Sequence, residues 1–229
     1  MIGGGINPKP GEISLAHNGV LFLDELPEFE RSTLEVLRGP LEDKYVTISR
    51  LYSKVEYPAN FMLIASMNPC PCGYFGSTEK QCNCTPISIE KYLNKISGPL
   101  LDRIDLHVEV KPVEYKKLNN DTPEPSEKIK QRVNKARRIQ YLRYKGENIY
   151  SNAELTPKMI EKYCIINENS KKILEKAFNK LGLSARAYSR ILKVARTIAD
   201  LDEKPNIEEQ HILESIQYRN LDRKYGDKF

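Results

Sequence analysis

The feature that most constrains the fold is an uninterrupted apolar run that ends in two carboxylates. The run covers Gly19–Leu23, and Asp24 and Glu25 follow it directly. A short, continuous apolar run is typical of a strand buried on both faces, as in a parallel sheet beneath helices. The segments Phe61–Ala65 and Asp105–Val110 are two further predicted strands. Helical patterns alternate with these strands, which predicts an α/β layered fold.

The connections between the predicted strands contain weaker patterns. Apolar residues at roughly helical spacing predict helices over 31–41 and 87–95. Two β-prone runs, Tyr45–Ser49 and Lys54–Tyr57, are only a few residues apart, so we expect them to pair as a hairpin.

The second half of the chain has helical patterns and follows a proline-containing linker. Pro112, Pro123 and Pro125 mark this linker. We expect an α/β core over residues 1–115, a linker over 116–127 and an all-helical domain over 128–229. The first predicted helix covers Ser126–Lys145, and the second starts at Thr156 and Pro157. The third covers Asn167–Leu181 and is closed by Gly182, and the fourth covers Ala185–Leu201 and is capped by Ser184. A last helix begins with a capping box of Asn206 and Glu209.

Charge is distributed unevenly between the two halves. Residues 1–115 carry 11 Lys and Arg against 15 Asp and Glu, a net charge of −4, whereas residues 116–229 carry 25 against 16, a net charge of +9. A basic face can attract nucleic acid, but a solvated helical surface explains this charge equally well. No apolar run approaches the roughly 20 residues that span a bilayer, and the N-terminus has no signal-peptide pattern. A cytoplasmic protein without a membrane partner is therefore expected.

Polar residues near the apolar strands have the chemistry that phosphate transfer requires. Asp24 at a strand end can hold Mg²⁺, usually through water, and Glu25 can orient or deprotonate an attacking water. Asn68 follows the second strand and can hydrogen-bond a phosphate without adding negative charge. Arg103 can stabilise the charge of phosphoryl transfer, including from a neighbouring subunit. The ordinary alternatives are an acidic turn, an Asn-Pro turn and a local salt bridge to an adjacent acid.

Four of the five cysteines, Cys70, Cys72, Cys82 and Cys84, lie within fifteen positions. They supply the four thiolates of a tetrahedral Zn²⁺ site, although their i, i+2 spacing is tighter than the usual i, i+3. In a cytosolic chain such a cluster favours metal or reduced thiols over disulfides. A zinc site and a reduced, glycine-stabilised loop are therefore both retained as hypotheses for this segment. Cys164 stands apart and is predicted to be a buried small hydrophobe.

The predicted long helix is rich in basic residues, which surround it rather than forming one stripe. A solvated surface is therefore favoured over a DNA contact. These residues are Lys128, Lys130, Arg132, Lys135, Arg137, Arg138, Arg143 and Lys145.

Three segments of the chain, Gly11–Phe29, Met67–Tyr74 and Ile96–Leu106, closely resemble the magnesium-chelatase-like AAA+ proteins. This family includes the ComM competence proteins and is related to the ATPase subunit of magnesium chelatase and to MCM helicases. The resemblance covers residues 1 to about 110 strongly and the helical tail more loosely. It implies an α/β AAA+ core, here an N-terminally truncated P-loop-type sheet with helices, followed by a small all-α helical lid.

The resemblance also implies ATP and Mg²⁺ as cofactors and roles for individual residues. Asp24 and Glu25 match the Walker B pair, with Asp24 holding Mg²⁺, and Asn68 matches the sensor-1 position. Arg103 matches the arginine finger, which acts on ATP held by the adjacent subunit of a ring, a hexamer when the protein is full length.

Two further nucleotide-contacting positions and a DNA-contacting hairpin are implied in the same way. Arg186 matches the sensor-2 arginine of the helical lid, with Arg190 as the alternative. The strands around Arg50 match the pre-sensor-1 hairpin, which points into the ring pore in related helicases. Arg50 and Lys54 are then the candidates for contacting a nucleic-acid backbone. Relatives usually have Gly in this turn, whereas residues 51–53 are Leu-Tyr-Ser here.

The resemblance favours one function and leaves two others open. The first is a DNA motor or helicase, in which hydrolysis drives pore hairpins along single or branched DNA, as in branch migration during transformation. The second is an ATPase that remodels a protein or a cofactor, as in metal insertion into porphyrin. The third is a non-catalytic interaction module with a half-built sheet edge as its oligomerisation surface.

One motif of the family does not occur in this sequence. A loop of the form G-x-x-x-x-G-K-[ST] is expected upstream of the Walker B pair. The dipeptide Gly-Lys occurs nowhere in the 229 residues, and the run from Gly3 to Gly5 is followed by neither Lys-Ser nor Lys-Thr. We therefore expect the chain to begin within the ATPase domain.

Without the amides and the lysine of that loop, this chain alone is expected to bind ATP weakly or not at all. Isothermal titration calorimetry of the purified chain with Mg-ATP measures the affinity directly. Stoichiometric binding would contradict the expectation.

Overall fold

The structure, a computed structural model, describes residues 1–5, 8–49, 54–77, 80–110 and 123–219. Its contacts divide the chain into two compact units, Met1–Ile104 and Asp105–Phe229. The described part of the first unit combines strands and helices, and that of the second is built mainly from helices. Arg50 and residues 111–122 of the predicted linker region lie outside the described residues.

The first unit contains short elements. Its strands are β1 (Gly3–Gly4), β2 (Lys9–Pro10), β3 (Val20–Leu23), β4 (Tyr45–Ser49), β5 (Lys54–Pro58) and β6 (Met62–Ala65). Its helices are α1 (Glu12–Leu15), α2 (Arg31–Glu35), α3 (Arg38–Asp43), α4 (Pro86–Leu93) and α5 (Gly98–Leu101).

Strands β3 and β6 pair in parallel, with Val20 opposite Met62 and Phe22 opposite Ile64. The prediction that both faces of β3 are buried is wrong, because one face is exposed. These four side chains are 45–62% exposed, whereas Leu23 is 6% exposed. Because side chains alternate between the faces of a strand, the four form one apolar surface, which we call the outer sheet face. The run is apolar on both faces, but only the opposite face reaches the core of this unit.

The predicted hairpin is confirmed. Strands β4 and β5 pair antiparallel, from Tyr45 opposite Pro58 to Ser49 opposite Lys54. Val46 is buried while both of its neighbours along the strand are more exposed, which is the alternation expected of a half-buried strand.

The single helix predicted over 31–41 is in fact two helices, α2 and α3. Pro40 lies in the first turn of α3, has no N–H to donate to the carbonyl of Val36 and would clash with that carbonyl in a continuous helix, so the helix is interrupted just before α3. The N–H of Leu37 instead donates to the carbonyl of Leu34 at 3.1 Å, a tighter turn than that of an α-helix.

The strand predicted over 105–110 is wrong, because these residues form no strand. Their backbone has a different partner: the N–H of His107 donates to the carbonyl of Tyr218 at 2.8 Å. An apolar, alternating segment becomes a strand only where another strand offers it a ladder of hydrogen bonds.

The helices of the second unit are α6 (Ser126–Arg143), α7 (Pro157–Tyr163), α8 (Glu168–Leu181), α9 (Ala185–Leu201) and α10 (Glu209–Gln217). None of the helices that the structure describes is both long enough and apolar enough to cross a membrane. Most predicted boundary signals are confirmed. Thr156, Asn167 and Ser184 are N-caps whose side chains accept a backbone N–H, and Gly182 closes α8 in the left-handed conformation.

The capping box predicted for the last helix is wrong. Helix α10 starts later, with Glu208 as its N-cap, and the Glu208 N–H donates to Nδ1 of His211 at 2.9 Å. Ile207 is buried and forms a parallel β-bridge with Ile166. This extended pairing keeps the chain out of the helix at the position where Asn206 would have begun it.

A buried ionic network holds the second unit together around Asp200, which is fully buried. Its carboxylate accepts hydrogen bonds from Arg143 at 2.8 Å, from Arg196 at 3.1 Å and from the amide of Asn152 at 2.9 Å. Arg143 is thus not on a solvated surface, unlike Lys135 on the same helix, which pairs with Glu203 at an exposed site. The network joins α6 to α9.

Replacing Asp200 by Ala is expected to lower the free energy of unfolding by about 3–5 kcal/mol, because two arginines lose their shared buried counter-charge. The matched control, Lys135→Ala, breaks only an exposed pair and should cost less than about 1 kcal/mol. Urea denaturation followed by circular dichroism measures both. Equal losses in the two variants would contradict the assignment of Asp200 as the buried centre of the unit.

Candidate functional site

The carboxyl ends of β3 and β6 bring the predicted polar residues to one edge of the sheet. Ser66 follows β6 as Asp24 follows β3, and the Ser66 N–H donates to the carbonyl of Leu23 at 3.0 Å. Asp24 and Glu25 are exposed at this edge, and Asn68 lies two residues beyond Ser66 and is exposed as well. The parallel pairing therefore brings the segments that carry the two carboxylates and the amide together.

Ser66 links these two segments, a role that the sequence analysis missed. Its hydroxyl donates to the Asp24 carboxylate, and its oxygen accepts the N–H of Glu25 at 3.2 Å. Its carbonyl accepts the N–H of Leu26 at 2.8 Å. The available sequence signal was its position, as the first polar residue after the second apolar run. The bond to Ser66 orients the Asp24 carboxylate. Since a carboxylate has about four acceptor positions, the others can bind a cation such as Mg²⁺.

Glu25 has a left-handed backbone conformation, with φ of +49°. This region is unfavourable for a residue with a Cβ, and such outliers persist where the surrounding structure imposes them. Here the hydrogen bonds of Ser66 to the backbone of Glu25 and Leu26 impose it. The chain turns sharply at Glu25 and enters a short 3₁₀ turn, Leu26–Glu28, which leaves the Glu25 side chain exposed.

Tyr92 on α4 supports the segment that contains Asn68, another contact that the sequence did not reveal. Tyr92 is 6% exposed. Burial raises the pKa of its hydroxyl, a hydrogen bond with the backbone of Asn68 opposes this, and the Glu28 and Glu25 carboxylates raise it further. Tyr92 thus stays a neutral phenol that contacts the Asn68 backbone and lies within electrostatic range of Glu25.

Arg103 is held by groups of its own chain. Its guanidinium donates to Glu42 and to the carbonyl of Pro99, both at 2.7 Å, and its side chain is 8% exposed. The expected alternative was a salt bridge with an adjacent acid, whereas Glu42 lies 61 residues away in the sequence. Arg103 must exchange this partner before it can contact an anion on another molecule.

Of the two predicted DNA-contacting residues, the structure describes only Lys54. It lies at the first position of β5, and its ammonium group pairs with Glu56 at 2.9 Å with both side chains more than half exposed. The hydrogen bond with Glu56 raises the pKa of Lys54. Lys54 therefore carries a positive charge at the described end of the hairpin, and Arg50 as a DNA contact stays a prediction.

The two predicted nucleotide-contacting arginines lie on the first turns of α9, in the second unit. Arg186 is exposed. Arg190 forms a salt bridge with Asp105, and its side chain is 17% exposed. That Arg186 or Arg190 contacts nucleotide remains a prediction.

The four clustered cysteines converge in space. Their sulfur atoms all lie within 4.8 Å of one another, and the sulfur of the fully buried Cys70 is 3.4 Å from that of Cys72 and 3.7 Å from that of Cys82. A hydrogen bond from the Tyr74 backbone lowers the pKa of Cys72 to about 6 despite the opposing effect of burial. Burial raises the pKa of Cys84. Cys164, in the second unit, is buried as predicted, and burial raises its pKa to about 11.

Two protein families match the chain, one after the other. The family described as magnesium chelatase, subunit ChlI, matches residues 1–118. The family described as magnesium chelatase, subunit ChlI C-terminal, matches residues 123–219. Together they cover all of the described residues.

Curated relatives match along almost the whole chain. Competence protein ComM of Haemophilus influenzae is 49% identical over 225 residues, which are 97% of this chain and 43% of that protein. The uncharacterized protein YifB of Escherichia coli is 47% identical over 226 residues, with the same coverage. The uncharacterized protein Rv2897c of Mycobacterium tuberculosis is 36% identical over 212 residues, 91% of this chain and 42% of that protein. The chain thus spans less than half the length of these relatives.

Replacing Glu25 by Gly is expected to raise the free energy of unfolding by up to about 1 kcal/mol, because relief of the left-handed strain exceeds the entropy that Gly adds to the unfolded chain. Glu25→Gln keeps the strain and should change stability by less than about 0.5 kcal/mol. Urea denaturation of the two variants beside the parent chain measures the difference. A Gly variant less stable than the parent would show that the Glu25 side chain stabilises the turn.

Proposed function

This chain belongs to the magnesium-chelatase family, and on that basis we propose that it is part of an Mg²⁺-dependent AAA+ ATPase that moves on DNA. The observation that carries the proposal is the edge of the sheet at which Asp24, Glu25 and Asn68 follow two parallel strands. Ligands of α/β proteins bind at the carboxyl ends of parallel strands. The family and the edge therefore support the same chemistry.

The proposed hydrolysis divides the work among the residues at this edge. Asp24, oriented by the Ser66 hydroxyl, would hold Mg²⁺ as the Walker B aspartate. Glu25 would orient and deprotonate the attacking water, a role that suits an exposed carboxylate on a turn fixed by hydrogen bonds. Asn68 would contact the γ-phosphate as sensor 1, because a neutral amide adds no repulsion there. ATP and Mg²⁺ are the cofactors of this reaction.

Completion of the site by a second copy of the protein is part of the proposal. Arg103 would act as the arginine finger on ATP held by the adjacent subunit of a ring, a hexamer, and Arg186 or Arg190 would contact nucleotide from the helical lid. In the isolated chain Arg103 is paired with Glu42. We propose that subunit contact exchanges this carboxylate for phosphate, so that hydrolysis depends on assembly.

DNA is the proposed substrate of the motor. The H. influenzae relative is named a competence protein, and the β4–β5 hairpin carries Lys54 at its described end. A charged, exposed hairpin suits contacts with a phosphate backbone, which require positive charge and no base recognition. Arg50 belongs to the same proposal. Branch migration or helicase activity would follow from hairpins that move with the hydrolysis cycle.

Two alternatives remain as competing proposals. An ATPase that remodels a protein or inserts a metal would use the same hydrolytic residues, and the chelatase family name favours it. A non-catalytic interaction module is favoured by the outer sheet face, whose apolar side chains are 45–62% exposed. An exposed apolar surface on a sheet is typical of a protein contact.

The deciding experiment supplies a phosphate-binding loop. An upstream segment from a family member that carries G-x-x-x-x-G-K-[ST] is fused before Met1, and ATP hydrolysis is measured with and without single-stranded DNA across a salt series. We expect DNA to stimulate hydrolysis and salt to weaken the stimulation. Glu25→Gln should lower hydrolysis on the order of 100-fold or more, since it removes the general base.

Variants of the hairpin separate the alternatives. Lys54→Ala and Arg50→Ala should abolish the stimulation by DNA, whereas the matched control Lys171→Ala removes a lysine that is paired with Glu168 on α8 and should not. Hydrolysis that is indifferent to DNA would favour the remodelling ATPase. A fusion that binds ATP but does not hydrolyse it would favour the interaction module.

A further inference from the structure

We propose that Cys70, Cys72, Cys82 and Cys84 bind one Zn²⁺ ion, and that this ion fixes the position of the segment that carries Asn68. The structure places these four sulfurs together although their two Cys-x-Cys pairs are separated by nine residues.

The spacing of the sulfur atoms is that of a metal site. Four Zn–S bonds of about 2.3 Å at tetrahedral angles require sulfurs roughly 3.8 Å apart. The sulfur of Cys70 is 3.4 Å from that of Cys72 and 3.7 Å from that of Cys82, and the sulfurs of Cys72 and Cys82 are 3.6 Å apart. These distances far exceed the roughly 2.05 Å of a disulfide, and all four thiols are free. The cluster therefore needs little rearrangement to enclose an ion.

The ligand set selects the class of metal and its role. Four thiolates suit zinc, whereas Mg²⁺ prefers oxygen ligands. A four-cysteine site has no position for water, so its role is structural rather than catalytic. A backbone group also supports the site: the Phe75 N–H donates to the Cys70 sulfur at 3.3 Å. Such hydrogen bonds orient the ligands of a metal site.

The cysteine loop begins next to Asn68 and turns back towards it. Cys70 follows Asn68 by two residues, and the Gly73 N–H donates to the Cys70 carbonyl at 3.0 Å, which closes a turn. At Gly73, φ is +82°, and a Cβ added there would lie 4.0 Å from the amide oxygen of Asn68. Tyr92 contacts the backbone of Asn68 from α4. The backbone of Asn68 is therefore bonded to a buried tyrosine, and a turn that the metal would close follows it directly.

The metal ion would thus act as a positioning element for the strand-end segment. Without a metal, bringing the two cysteine pairs together costs conformational entropy that no bond between them offsets. Four metal bonds fix both pairs at once and, through Cys70, fix the end of β6. The effect on hydrolysis rests on the proposed function, because only there does Asn68 contact phosphate. The binding of the metal and its effect on the loop do not depend on the proposed function.

Metal content of the purified chain tests the first half of the proposal. Inductively coupled plasma mass spectrometry should find about one zinc per chain, and Co²⁺ in its place should give the sulfur-to-metal absorption of a four-thiolate site. Cys72→Ser and Cys84→Ser, at partly exposed positions, should lower zinc at least tenfold. The matched control Cys164→Ala, in the second unit, should keep it. Iron in place of zinc, or a chain that takes up neither zinc nor cobalt, would overturn the proposal.

Amide hydrogen exchange tests the second half without any activity measurement. Removing the metal with a chelator should speed exchange at least tenfold over 66–77 and leave α9 unchanged, and added Zn²⁺ should restore the protection. Exchange that is unchanged around Asn68, or that rises equally in both units, would overturn the positioning role. A chain that binds zinc and yet fails the hydrolysis test in its fused form would refute the proposed function and leave the metal site standing.

Discussion

The parallel pairing of β3 with β6 is the constraint on which the candidate site depends. Its register puts Asp24 and Ser66 side by side, and Ser66 then bonds to the Asp24 carboxylate and to the backbone of Glu25. A slip of one residue would reverse the faces of β6, moving Met62 and Ile64 from the outer sheet face to the inner one. Because both faces of β6 are apolar, the apolar pattern does not select this register; the hydrogen bonds that Ser66 makes at the strand ends do, and the register fixes the spacing of the polar groups.

Most of the fold that could be predicted from the sequence is encoded locally. The N-caps Thr156, Asn167 and Ser184 each accept a backbone N–H three residues further on, so Ser184, like Gly182 at the end of α8, marks a helix end without reference to the rest of the chain. The hairpin depends on two adjacent runs. The predictions failed where a distant partner decides the local structure: Ile207 is drawn into a bridge with Ile166, and His107 is bonded to Tyr218 instead of to a strand.

The same distinction applies to the candidate site. Asp24, Glu25 and Asn68 could be identified because each directly follows or lies near the end of an apolar run. Ser66 also follows such a run, but its role could not be predicted because its partner Asp24 is 42 residues away, and Tyr92 contacts Asn68 from a separate helix. The four cysteines are an intermediate case. Each Cys-x-Cys pair is local, but the distance between the pairs is a tertiary property that the spacing alone left open.

Arg103 is paired within its own chain, whereas the proposed function also requires it to contact a partner. The guanidinium is almost fully buried and donates to Glu42 and to the carbonyl of Pro99, while its Nε–H has no hydrogen-bond partner among the described residues. Truncating such a group leaves its partner uncompensated, and a loss of stability would therefore accompany any loss of activity. Removing the partner is the more informative change. Under the proposed function, Glu42→Gln weakens the resting pair, keeps the arginine, and should raise rather than lower the ability of Arg103 to contact a phosphate on the next subunit.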